Sequence, residues 1–156
     1  MAAYAFYHLL QMPLEQALPR LMERALAAGH RAVILAASAE RVASLDTALW
    51  TWDADSFLPH GAAAADPDAA PDPDAHRQPI WLSTRPGNPN GATVLVLVDG
   101  VAATDLDGFQ RCLDLFDGTD DGAVAAARDR WRSAKAAGHE VTYWAQSPEG
   151  RWEQRA

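Results

Sequence analysis

Thr93–Val98, reading TVLVLV and closed by Asp99-Gly100, is a strand with no polar side. A strand that is apolar on both faces belongs to a parallel sheet covered by helices above and below, whereas a sheet with one wet face alternates polar and apolar residues. Working outward, Ala3–Leu10 (AYAFYHLL) and Arg31–Ala36 (RAVILA) are two more buried strands, and Ile80–Thr84 (IWLST) is a shorter one. Val141–Ala145 (VTYWA) is expected to be the last strand. Between the strands the apolar period becomes helical. Leu14, Leu18, Leu21, Met22, Ala25 and Leu26 recur at steps of three and four over Leu14–Gly29, with Pro19 about one turn in and Gly29 as the stop. Ser38 can cap a helix over Ala39–Trp50, whose inner stripe is Val42, Leu45 and Leu49. Helices are also expected over Leu106–Phe116 and, after Asp120 or Asp121, over Ala123–Ala137, stopped by Gly138. Gly87–Gly91 reads as a turn.

The alternation predicts an α/β single domain over residues 1–156: a mostly parallel sheet with helices on both faces and right-handed crossovers. Two segments stand apart. Gly61–Pro79 is dominated by Ala, Asp and Pro, and such a composition is expected to give a mobile acidic loop rather than a domain boundary. Residues 147–156 read as a polar tail.

The 156 residues carry 21 acidic and 13 basic side chains, a net charge of −8 that repels a phosphate backbone, so direct nucleic-acid binding is not expected. No apolar run approaches the roughly 18 residues a membrane span needs, and MAAYAFYHLLQMPLEQ lacks the basic start of a secretory signal. Cys112, the only cysteine, forbids an internal disulfide and a multi-thiolate zinc site. A cytoplasmic location fits these features best.

A parallel α/β fold raises the question of a nucleotide. The topology is nucleotide-binding-like, but G-x-x-x-x-G-K-[ST] and G-x-G-x-x-G both fail to occur, and the turn Gln11-Met12-Pro13 has no glycine. Strand LVLVD ending at Asp99 is similar to the strand-plus-acid that holds magnesium in phosphate-loop enzymes, which leaves a degenerate nucleotide-using enzyme as an alternative. No G-x-S-x-G elbow is present, and histidines 8, 30, 60, 76 and 139 lack metal-ligand spacing. No catalytic residue, metal site or cofactor is expected.

Two clusters remain. Leu45–His60, LDTALWTWDADSFLPH, places Trp50, Trp52, Phe57 and Leu58 in one acidic run, with Pro59-His60 at its end. Large rings beside a broken helix end either pack under their own loop or anchor a protein partner. His60 either orients a partner or hydrogen-bonds a carbonyl. In the last helix Arg128, Arg132 and Lys135 fall at i, i+4 and i+7, with Trp131 flanking them. A guanidinium beside an indole suits a carboxylate joined to an apolar group. Helix-dipole compensation explains Arg132 and Lys135 as well, but it explains Trp131 poorly.

Taken together, the motifs L-D-x-A-L-W (Leu45–Trp50), S-F-x-P-H (Ser56–His60) and R-x-R-W-R-x-x-K-x-x-G (Arg128–Gly138) have a family likeness. With the aromatic first strand (Phe6-Tyr7) and the central strand Val94–Val98, the chain resembles the chi subunit of the bacterial DNA polymerase III holoenzyme over about residues 4–145. That resemblance implies a non-catalytic adaptor of the DNA-replication clamp-loader assembly, touching DNA only indirectly. It implies two partners, the psi subunit and the acidic, phenylalanine-ended C-terminal tail of single-stranded DNA-binding protein. By motif, Arg128, Trp131, Arg132 and Lys135 would hold the tail, with Arg128 on the terminal carboxylate and Trp131 lining the apolar pocket. Trp50, Phe57, Pro59 and His60 would meet psi or, in the alternative role of a helicase accessory subunit, a DNA-repair helicase. The family helix usually carries another basic residue one turn before Arg128. Here Val124 stands there, which leaves part of the tail's acidic stretch without a partner.

Overall fold

The computed structural model describes residues 2–53, 57–66, 68–70, 72–102, 106 and 108–156. Ser56 of the S-F-x-P-H motif, residues 67 and 71 of the acidic segment and residue 107 of the expected third helix lie outside the described residues.

Among the described residues one eight-stranded sheet organises the chain. In chain order its strands are β1 (Ala3–Leu9), β2 (Ala32–Leu35), β3 (Gly61–Ala62), β4 (Ile80–Ser83), β5 (Val94–Leu97), β6 (Arg111–Asp117), β7 (Glu140–Gln146) and β8 (Trp152–Gln154). Their order across the sheet is β3-β4-β2-β5-β6-β1-β7-β8. Every pairing is parallel except β7 with β8. The TVLVLV run lies in the middle as β5, bonded to β2 on one side and β6 on the other. All four of its residues are buried, as an apolar run between two helical layers requires.

The helices are α1 (Leu14–Ala27), α2 (Ala39–Thr51) and α3 (Asp121–Ala136). On one face, α1 (Leu14, Ala17, Leu18, Leu21, Met22) and α2 (Val42, Leu45, Leu49) pack with Ile34, Ile80, Val96 and Leu115 into one core. On the other face, Ala127 and Ala134 of α3 pack with Tyr4, Phe6, Leu95 and Phe116 into a second core. Ser38 caps α2 by accepting from the Arg41 amide, and Asp120 caps α3 by accepting from Gly122 and Ala123. No helix among the described residues is long and apolar enough to cross a membrane.

Three expectations need correction. The helix expected over Leu106–Phe116 does not form; Arg111–Asp117 is strand β6, central in the sheet. Its side chains alternate between the layers, Leu113 and Leu115 toward α1 and α2, Cys112 and Phe116 toward α3, and a period of two is a strand's. Buried Asp114 points with the latter set and is met there by a bidentate pair from Arg130 at 2.7 and 3.0 Å. Secondly, Val141–Ala145 is not the last strand. The polar tail expected over residues 147–156 turns back at Ser147–Gly150 and contributes antiparallel β8, where Trp152 meets Tyr7 edge-on at 5.0 Å.

Thirdly, Gly61–Pro79 is tied into the fold at both ends. Gly61–Ala62 adds a strand beside β4, and Ala75 is buried in the α3-side core with Val33 and Trp81. Gly61 is needed there, since a Cβ would stand 2.9 Å from the Trp81 ring. Asp66 and Asp72 each fold a local turn by accepting the amide two residues on.

Candidate docking faces

A cleft of about 790 Å³ opens at the C-terminal ends of β1, β5 and β6, between the starts of α1 and α3. Open parallel sheets bind nucleotides at this place. Here the groups that would receive a phosphate are already engaged. Gln146 Oε1 accepts from the Leu10 and Gln11 amides, and Asp120 occupies the first amides of α3. The two guanidiniums are also engaged, Arg41 with Glu15 and Asp99, Arg130 with Asp114. Asp99, at φ 58°, holds a left-handed backbone in turning the chain toward that pair. With Glu15, Asp99, Asp117 and Asp120 on its wall, the cleft is electronegative and disfavours a polyphosphate. Among the described residues there is no group of His, Cys, Asp and Glu placed to hold a metal ion.

The aromatic face is built where α2 ends. Its inner stripe turns Trp50 outward, and the chain then brings back Phe57, Pro59 and His60 beside it. Trp50 is 46 % exposed and Phe57 is 70 % exposed, with ring centres 5.6 Å apart. Pro59 is half-buried. His60 is buried at 6 % exposure, its ring 4.2 Å from that of Trp50. Its Nδ1 donates to the Leu58 carbonyl at 2.6 Å, and its Nε2 lies 2.9 Å from Asp46 Oδ1. The structure thus brings all four candidates together, with three at the surface and His60 as the wedge behind Trp50. Trp52 turns the other way and packs on the α1–α2 core. Asp46 is the member that sequence reasoning missed. It stands one turn before Trp50 on the same helix face, which the motif L-D-x-A-L-W already contains.

The basic face lies across the sheet, on α3. Ala127 and Ala134 let the helix sit close to the strands, and Val124 and Trp131 follow them half-buried on the same core. That seating leaves Arg128, Arg132 and Lys135 exposed. Lys135 Nζ stands 4.6 Å from the centre of the Trp131 ring. Arg132 reaches Asp129 at 3.2 Å in an exposed pair, and Arg128 makes no ion pair among the described residues. The pair that holds α3 to the sheet is Arg130–Asp114, at the opposite side of the helix from Arg128. Tyr143 of β7 also belongs to this neighbourhood. Burial pushes its phenol up while the nearby Arg128 charge pulls it back. Its hydroxyl is hydrogen-bonded to His8 Nδ1 at 2.7 Å. Val124, Trp131 and Tyr143 thus pack half-buried on the α3-side core, with Arg128 exposed one turn before Trp131 and close enough to Tyr143 to act on its phenol. In the sequence Tyr143 gives no such signal, reading simply as a strand residue in VTYWA.

This architecture defines a class: a mostly parallel α/β domain whose cleft at the strand ends has its polar groups engaged by its own side chains, and which exposes one aromatic and one basic cluster. Comparison with known proteins narrows it. Residues 1–142 match the family model of the DNA polymerase III chi subunit, HolC, and the chain belongs to that family. A probable DNA polymerase III subunit chi from Rickettsia prowazekii (strain Madrid E) is 31 % identical over 98 residues, which are 63 % of this chain. The match spans about half (55 %) of that relative's length.

Proposed function

We propose that this chain is a non-catalytic adaptor of the DNA-replication clamp-loader assembly that joins the psi subunit to the C-terminal tail of single-stranded DNA-binding protein. The observation that carries the reading is the α3 face. Arg128 makes no ion pair among the described residues and stands one helical turn before the half-buried Trp131, whose ring Lys135 covers at 4.6 Å, a set that suits a terminal carboxylate on an aromatic residue. Trp50 and Phe57 supply the other face, two large exposed rings of the kind that dominates protein interfaces. Family membership makes a replication role the natural one for these two surfaces.

The two contacts should differ in kind. Apolar burial gives the aromatic face most of its affinity for psi, so salt acts there on the association rate more than on the dissociation rate. The tail site is charge-assisted and exposed, so its affinity falls as ionic strength rises. The test is titration of a labelled peptide matching the tail, with a free or an amidated C-terminus. Arg128→Glu and C-terminal amidation should each weaken binding at least about tenfold, the loss of about 1.4 kcal/mol that a charge-assisted hydrogen bond commonly supplies. Unchanged affinity in Arg128→Glu sinks the site assignment.

A further inference from the structure

The aromatic face has acidic side chains of α2 behind and beside it. Asp46 approaches His60 at 2.9 Å, and His60 lies against Trp50, so a carboxylate stands at the back of the exposed ring pair. Helix α2 itself carries Glu40 and Asp46 against one cation, Arg41. Arg41 is drawn to Glu15 and Asp99 at the end of the sheet, while Glu40 is exposed. The ring faces add to the same field, because an aromatic π-cloud is negative above its plane and attracts ammonium and guanidinium groups.

Resting on the reading that this face docks a protein, we infer that its occupant is a segment that sets an arginine or lysine beside a bulky apolar anchor. The anchor covers the Phe57 side of the patch, and the cation lies against the rings on the Asp46 side. An acidic segment would bring like charges together on desolvation, which costs more than its apolar contacts return. The two faces of the molecule therefore sort their partners by sign: α3 accepts an acidic segment, and the end of α2 rejects one.

The inference is tested by panning the full chain against a displayed library of random peptides and counter-screening against Phe57→Ala, a substitution at a largely exposed ring. Peptides captured by the unaltered chain and lost on Phe57→Ala should carry Lys or Arg within a few residues of Trp, Phe, Leu or Met. The double variant Glu40→Lys, Asp46→Asn, which keeps an oxygen toward His60, should slow their association about tenfold at low salt. If face-specific peptides show no excess of Lys and Arg, or associate with the double variant unchanged, the inference is wrong while the docking surface stands. If no peptide is lost on Phe57→Ala or on Trp50→Ala, the docking reading itself fails.

Discussion

Asp114 is 1 % exposed, and its charge is tolerated only because Arg130 grips both of its oxygens. Burial pushes the carboxyl up, against the pull of the guanidinium. Removing the arginine leaves an unpaired carboxylate between sheet and helix, so Arg130→Ala should lose about 3 kcal/mol of stability at neutral pH. The sign of its pH dependence follows from burial. A carboxyl whose folded pKa is raised favours the neutral form, so the penalty is complete above that pKa and shrinks as pH falls toward it. Denaturant titrations should find Arg130→Ala closer to the parent at pH 5 than at pH 8; an equal gap at both would contradict the assignment. Cys112 gives an independent check of the same layer. Fully buried beside Tyr4, its thiol is pushed up to about 12 by desolvation. It should resist a thiol reagent at pH 8 in the native protein and react at once in denaturant. Fast labelling of the native chain would mean that β6 does not sit in the core.

At the scale of elements, periodicity revealed α1, α2 and α3 and the strands at residues 3–9, 32–35, 80–83, 94–97 and 140–146 to within a few residues. It failed at β6 because RCLDLFD puts an acid in the middle of a buried run, and the charge that satisfies Asp114 comes from Arg130, sixteen residues away. No local pattern announces such a partner. It failed at β8 for a related reason. A polar edge strand carries little apolar signal of its own and forms because β7 offers it a ladder. The Ala/Asp/Pro segment was read by composition alone, which is blind to what lies beneath. Beneath it, β2 and β4 turn Val33 and Trp81 toward the side where α3 does not reach, and the segment covers them. Replacing residues 64–73 with a short Gly/Ser linker should uncover Trp81 and cost about 1.5–3 kcal/mol, the value of burying one large side chain. Increased binding of a hydrophobic dye and a lower denaturation midpoint would report it, and an unshifted midpoint would show the cover to be dispensable.

At the scale of the whole molecule, the candidate residues were largely legible as types. Trp50, Phe57, Arg128 and Trp131 stand out by size or spacing, and in the structure Trp50 lies beside Phe57 while Arg128 and Trp131 share α3. Their relation to each other was not legible, because it depends on which face of the sheet each helix takes. The aromatic cluster sits with α2, and the basic cluster with α3, across a sheet buried on both sides. Two such sites share no side chain, so effects at one should add to effects at the other. Saturating the chain with the tail peptide should change its affinity for a ligand of the aromatic face by less than about twofold, as calorimetry can measure, since coupling requires a bistable element between the sites. Mutual exclusion would point to one overlapping site.

The sheet order has a last consequence, which is metric. α2 packs over β3 and β4, while α3 packs over β6, β1 and β7. From β4 to β1 is four steps in the sheet, so the two helices are offset sideways by about 20 Å at the usual spacing between strands. That offset is carried by hydrogen-bonded backbone instead of a linker. Bodies held at the two faces would be kept apart by a strut of set length and set angle, and their mutual geometry would survive the exchange of either one.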